Sequence, residues 1–268
     1  MCTTIAGDAH MERKQQPIGF FDSGVGGLSV LRHAREMLPN ENFIFYGDCG
    51  NVPYGEKTPE QVRTLTLAAC DKLYEKGAKA IFVACNTATS AAIHAMRDKY
   101  QIPIISMEPA IKPASESGNP GDILMMATPG TVSSARYGRL VERVGCRDRL
   151  INIPCGGLAD LLEKGEFDGP EVESYIREIL SPYAGREVCG IVIGCTHYSF
   201  VVDTIRRVAA ELLKGACDIY DGMYGTVRRL QYVLEKEGTA SDGPGGKVEL
   251  FASGDPAHLE VMQKILDM

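Results

Sequence analysis

The chain has 268 residues, enough for one large α/β unit or two domains of ordinary size, and a hydrophobic content of 44% supplies a sizeable core. Its 28 basic and 35 acidic residues leave a net charge of −7, and no Lys/Arg cluster offers a surface for nucleic acid. Nine cysteines without a single C-x-x-C pair argue against a disulfide framework or a structural zinc site, and no apolar run is long enough for a membrane, so the expected setting is cytoplasmic.

Met1–Gln16 is mixed and polar, has neither periodicity nor an apolar h-region, and reads as a loose extension. Pro17–Phe21 is a short apolar strand that runs into Asp22-Ser-Gly-Val-Gly-Gly27, and a helix with Leu28, Leu31 and Met37 near one face follows. Phe43–Gly47 is the next strand, ending at Asp48. Turn residues fill Cys49–Thr58, and Thr58-Pro59 opens a long helix with proline at a tolerated first-turn position. Ala80–Thr87 is an apolar run of strand length that ends in Cys85-Asn-Thr, followed by helical spacing from Ala88 to Lys99 and a strand over Pro103–Met107.

The second half repeats this plan. Asp122–Ala127 is an apolar strand that ends in Thr128-Pro-Gly-Thr131, with a helix over Val132–Val144, a strand over Arg149–Ile153 and helices over Gly157–Glu163 and Pro170–Leu180. Gly190–His197 then aligns position for position with the Ala80 stretch, 110 residues earlier, and ends in Cys195-Thr-His; helical spacing covers Ser199–Leu213. Asp218–Tyr220 is a short strand, a helix runs to about Glu237, and Thr239–Gly246 is a loop. Val248–Ala252 and a helix capped by Asp255 close the chain. Strand–helix alternation implies parallel sheets, and the duplicated signals favour two similar α/β halves.

Cys70, Cys146, Cys189 and Cys217 read as small buried hydrophobes. Cys85 and Cys195 differ, because each leaves a buried strand where a helix should begin, at the edge where open α/β sheets bind ligands. Free N–H groups at a helix start favour thiolate over thiol there. One such cysteine suits a nucleophile, and Cys195 with His197 two residues on is compatible with a Cys–His hydrolase. Two in matching positions suit removal of a proton from one face of a carbon and its return to the other. Asp22 is either a helix cap or a group that orients or deprotonates a thiol, and His197 either a satisfied histidine or an acid/base helper. Gly24-x-Gly26-x-x-Ser29, with Asp48 at the ribose spacing, is a rival dinucleotide signal. It lacks the third glycine, and Asp22 would face the pyrophosphate. The same glycines make a cradle of N–H groups for a carboxylate.

Asp22-Ser-Gly-Val-Gly-Gly27, Pro53-Tyr-Gly55, Cys85-Asn-Thr87, Thr128-x-Gly-Thr131 and Gly194-Cys-Thr-His-Tyr198 together resemble, in order and spacing, the bacterial glutamate racemases of the aspartate/glutamate racemase superfamily. The resemblance spans roughly Pro17 to Leu266. It implies two pseudo-symmetric parallel-sheet α/β domains with the active site in the cleft between them: residues 1–108 plus 219–268 in the first, 109–218 in the second. It implies interconversion of L- and D-glutamate without cofactor or metal, supplying D-glutamate for peptidoglycan, in a cytoplasmic homodimer with no nucleic-acid or membrane partner. By matching positions Cys85 takes the α-proton of the D isomer and Cys195 that of the L isomer. Asp22 would assist Cys85, and His197 and Glu163 would assist Cys195. Substrate contacts fall to Asp22, Ser23, Tyr54, Gly55, Asn86, Thr87, Thr128, Thr131, Thr196 and His197. An aspartate or broad-specificity racemase, and a racemase-like binding or regulatory protein, are the alternatives. Ser199 and Gly156 stand where the family usually has proline, and Asp221-Gly222 replaces a common Asp-Ser or Ser-Ser.

Overall fold

The computed structural model describes residues 13–268. Most of the expected loose extension, residues 1–12, lies outside the described residues, whereas residues 13–15 are helical.

Among the described residues, nine strands form two sheets, and every pairing between them is parallel. The first contains β1 (Ile18–Asp22), β2 (Phe43–Gly47), β3 (Ala80–Val83), β4 (Ile104–Ser106) and β9 (Val248–Ala252), in the order β4-β3-β1-β2-β9. The second contains β5 (Asp122–Ala127), β6 (Leu150–Pro154), β7 (Val188–Ile193) and β8 (Asp218–Asp221), in the order β6-β5-β7-β8. Read from the other edge, the second sheet corresponds to the first strand for strand: β8 to β4, β7 to β3, β5 to β1, β6 to β2. β1, β3 and β7 are buried throughout, as continuous apolar runs covered on both faces must be. Phe20 stacks on Phe82 at 4.6 Å between β1 and β3.

Helices cover both sheets: α1 (Leu28–Met37), α2 (Pro59–Glu75), α3 (Asn86–Lys99), α4 (Ile111–Ser115), α5 (Pro129–Val132), α6 (Ala135–Val144), α7 (Leu158–Leu162), α8 (Pro170–Leu180), α9 (Val202–Leu212), α10 (Gly222–Lys236) and α11 (Ala257–Asp267). The expected start of α2 is realised as a capping box, with the Thr58 hydroxyl accepting from the Gln61 N–H and the Gln61 side chain accepting from Thr58 N–H. Asp255 accepts from the Ala257 N–H and so holds the start of α11, with Pro256 between them.

The halves exchange helices. After β4 the chain crosses, and Ile111 and Ala114 of α4 pack into the second sheet's core with Ile123, Met125 and Val192. After β8 it crosses back, and Val227, Leu230 and Leu234 of α10 pack into the first core with Leu28 and Leu31. Each of the larger side chains, Ile111, Val227, Leu230 and Leu234, contributes about 1.5–3 kcal/mol, so the crossovers are anchored at both ends. Because β8 pairs with β7, the division expected between residues 218 and 219 falls inside a strand.

Three further expectations are corrected. The helix expected from Ser199 begins at Val202, preceded by a 3-10 turn over Thr196–Val201, because those residues turn inward to separate tertiary partners. The helix expected over Val132–Val144 is split into α5 and α6 by Ser134, which caps the second piece. Cys217 is only half-buried, beside the expected buried Cys70, Cys146 and Cys189. No described helix is long and apolar enough to cross a membrane.

Candidate active site

The carboxyl ends of the two sheets line one cleft. Ser23 follows β1, Cys85 follows β3, Thr128 follows β5, Cys155 follows β6 and Cys195 follows β7, and all five line it. About 50 Å³ is open to a water-sized sphere, room for a few water molecules.

Cys85 is buried at the start of α3. Its sulfur accepts from the Ala88 N–H at 3.4 Å and from the Ser23 hydroxyl at 3.3 Å. The helix start was expected to favour thiolate. Burial, followed by the Asp22 charge, outweighs those two bonds and pushes the Cys85 thiol up to about 12. Cys85 is therefore held as a thiol. Asp22 makes no hydrogen bond to it; its carboxylate accepts from the Gly24 N–H and the Thr196 hydroxyl, both at 3.0 Å. Burial raises the Asp22 carboxyl from its ordinary 3.8 to about 6, against the pull of His197 and the Gly24 N–H.

Cys195 has no helix cap for its sulfur; its partner is His197 Nδ1 at 3.7 Å. His197 Nε2 meets Glu163 Oε2 at 2.5 Å, and the Val25 N–H donates to the same carboxylate at 3.1 Å. Burial works against a charged imidazole, yet the bonds to Cys195 and Glu163 hold His197 well above its ordinary value. The Cys195 sulfur, imidazole and carboxylate thus form a chain that favours the charged form of the imidazole. The glycine cradle expected for a substrate carboxylate is in part filled from within, since the Val25 N–H holds Glu163. The glycines serve a different need, the close approach of the two halves. A Cβ on Gly24 would lie 2.4 Å from Glu163 Oε2, and one on Gly26 2.4 Å from His197 Nδ1.

The sequence profile described as Asp/Glu/hydantoin racemase matches residues 28–229. A glutamate racemase of Clostridium perfringens is 46% identical over 258 residues, covering 95% of this chain and 98% of its own. The chain belongs to the Asp/Glu/hydantoin racemase family. Two solved members share its fold across nearly the whole chain. Glutamate racemase from Francisella tularensis, in complex with D-glutamate, matches with a TM-score of 0.82 at 25% identity and covers 95% of each chain. The Escherichia coli enzyme, in complex with L-glutamate and the activator UDP-MurNAc-Ala, matches with a TM-score of 0.80 at 27% identity and covers 94% of each.

In this racemase-family chain the remaining expected residues gather around the thiols. Thr87, Thr128 and Thr131 join their hydroxyls across the halves at 2.9–3.3 Å, with Thr131 behind the lining. Gly55 packs against Thr128, and the Asn86 side-chain oxygen is buried without a partner. Tyr54 lines the cleft, but its phenol is spent on Asp48 at 2.6 Å, so it offers backbone rather than a hydroxyl. No Lys or Arg is among the described lining residues, which leaves N–H and hydroxyl donors to meet an anion. The lining beyond the expected site residues includes Cys155, pushed up to about 12 chiefly by burial, and the exposed Glu56 and Asp160. Cys155 carries the very signal that singled out the other two thiols, a strand end before a helix. Glu56 and Asp160 carry none, because exposed carboxylates are common on protein surfaces.

Proposed function

We propose that the protein interconverts L- and D-glutamate by a two-base reaction, with Cys195 and Cys85 on opposite faces of the α-carbon. The observation that carries this reading is that the two thiols reach one cleft from equivalent strand ends of two sheets with matching strand order. Both enantiomers are bound by solved relatives that share the fold.

Starting from L-glutamate, Cys195 as thiolate takes the α-proton, and the cationic His197 beside it pairs with the sulfur's charge. The electron pair left on the α-carbon is stabilised by N–H and hydroxyl donors in a water-poor cleft. Cys85, held as a thiol, delivers its proton to the other face. The turnover ends with Cys195 protonated and Cys85 as thiolate, and proton exchange with solvent resets them. From D-glutamate the same steps run in reverse. Glu163 orients His197, Asp22 holds Thr196 and biases Cys85 by charge, and Ser23 bonds its sulfur. Asn86, Thr87, Thr128, Thr131 and Thr196, with the backbone at Tyr54 and Gly55, receive the substrate. The thiols do the proton transfer themselves, so the reaction calls for neither metal nor cofactor.

The same reading makes the product D-glutamate a supply for peptidoglycan, the setting cytoplasmic and the assembly a homodimer. It divides the chain into a first domain of residues up to 108 with the returning C-terminal segment, and a second that runs through β8. Chiral analysis of purified protein with L-glutamate and no added cofactor tests the activity. The expected outcome is an equal mixture of enantiomers. No D-glutamate under conditions where L-aspartate is racemised would transfer the assignment to aspartate, and no turnover of either would leave a binding protein.

A further inference from the structure

The turn that follows Cys195 runs 6 residues in 3-10 form, long for a geometry with poor internal hydrogen bonds. Neither the turn nor α9 behind it has a side-chain cap. Its position is therefore set from outside, residue by residue. The Thr196 hydroxyl donates to Asp22, His197 meets Glu163, the Tyr198 hydroxyl donates to the Cys155 carbonyl at 2.9 Å, and Phe200 stacks on Phe167 at 4.2 Å. Ser199 is tied elsewhere. Its hydroxyl donates to Asp221 Oδ2 at 2.5 Å, at the junction of β8 and α10.

That junction is a fixed point of the molecule. A Cβ on Gly222 would lie 2.2 Å from the Glu108 carbonyl, so the crossover out of β8 runs hard against the crossover out of β4. Glu108 is in turn bound by Arg136 and by Arg143 at 2.7 Å. Asp221 caps α10 with one oxygen, accepting from the Met223 N–H at 2.9 Å. Capping needs only that oxygen. The other is left for Ser199, a contact that helix α10 does not itself require.

We propose that Ser199 and Asp221 are positioning residues, whose bond ties the turn carrying Cys195 and His197 to the crossover between the halves and so sets how thiol and imidazole meet. This rests on the racemase reading for its effect on turnover, but not for its effect on the thiol.

The test compares wild type, S199A and S199T by two measurements: native-state labelling of Cys85 and Cys195 with iodoacetamide, quantified by peptide mass spectrometry, and racemisation kinetics. S199A should change the labelling rate of Cys195 by about fivefold or more while Cys85 stays within about twofold of wild type. Its kcat should fall about tenfold with KM little changed, the pattern of a misplaced reacting group. S199T keeps the hydroxyl and should return both readings toward wild type. An unchanged Cys195 labelling rate overturns the proposal whatever the activity. So does an equal rise at both thiols, which would mean a loosened fold, or S199T behaving as S199A. If wild type does not racemise glutamate, the functional reading fails, and the labelling arm still decides the role of Ser199.

Discussion

At the scale of single residues, the two thiols are alike in topology and unlike in surroundings. Cys85 is held protonated by burial and the Asp22 charge, while Cys195 faces a cationic imidazole. Each turnover uses both faces, so Cys85→Ser and Cys195→Ser should each lower racemisation by about 10³-fold or more in both directions. In heavy water, early D-glutamate formed from L-glutamate should carry deuterium while unreacted L-glutamate keeps its protium. Early label in the unreacted enantiomer would point to a single exchanging base. Asp22 carries a cost that serves the site. Its carboxyl lies at about 6 in the folded protein against an ordinary 3.8. Because the folded value is raised, the native state is favoured while Asp22 is protonated, and it loses stability as pH rises from about 4 to about 6. That loss amounts to about 3 kcal/mol. Asp22→Asn should therefore unfold at higher urea than wild type at pH 8 and near the same urea at pH 4, with turnover reduced. Equal stability at pH 8 would contradict the raised carboxyl.

At the scale of elements, the glycine loop after β1 is shaped by what lies opposite it. Gly26→Ala would drive a methyl to within 2.4 Å of His197 Nδ1 and 2.5 Å of Thr196 Oγ1, so either the loop or the turn must move. A displacement of about 1 Å at a reacting group costs on the order of 10²-fold in rate, and G26A should lose about that much with its circular dichroism unchanged. Gly138, inside α6, is the opposite case, since a methyl added there would meet nothing within 4 Å. Gly138→Ala should raise stability by about 0.5–1 kcal/mol and leave kcat near wild type, because alanine loses less backbone freedom in a helix. Urea melts and steady-state kinetics on both variants check the pair.

At the scale of the whole molecule, neither half is self-contained. α4 belongs to the second core and α10 to the first, although each leaves the other half's edge strand. Removing either half strips the other of buried side chains worth several kcal/mol, so calorimetry should show one unfolding transition rather than two. Glutamate held between the halves should stabilise them together, by about 2.7 kcal/mol at one hundred times its dissociation constant. Two separate transitions, or a shift confined to part of the melt, would show that the crossovers do not couple the halves.

The sequence by itself determined the periodic features. Buried parallel strands are continuous apolar runs, so Phe43–Gly47 and Asp122–Ala127 were legible to the residue, the half-buried edge strand Val248–Ala252 was legible beside them, and the duplicated cysteine strands announced a repeated fold. Family motifs carried Glu163 to its place, which no local pattern could do, since its partner His197 is 34 residues away. What tertiary structure alone decided depends on contacts between distant segments. Local chemistry around Cys85 pointed to a thiolate, and only the depth of burial and the neighbouring Asp22 make it a thiol. The turn after Cys195 carries helical spacing, and its side chains are instead taken up by separate tertiary partners while it stays in 3-10 form until Val202. The strand at Asp218–Asp221 looked like the start of the returning segment, and only its ladder with β7 places it in the second sheet. Period and composition are properties of neighbours along the chain; charge state, register and the bond from Ser199 to Asp221 are properties of neighbours in space.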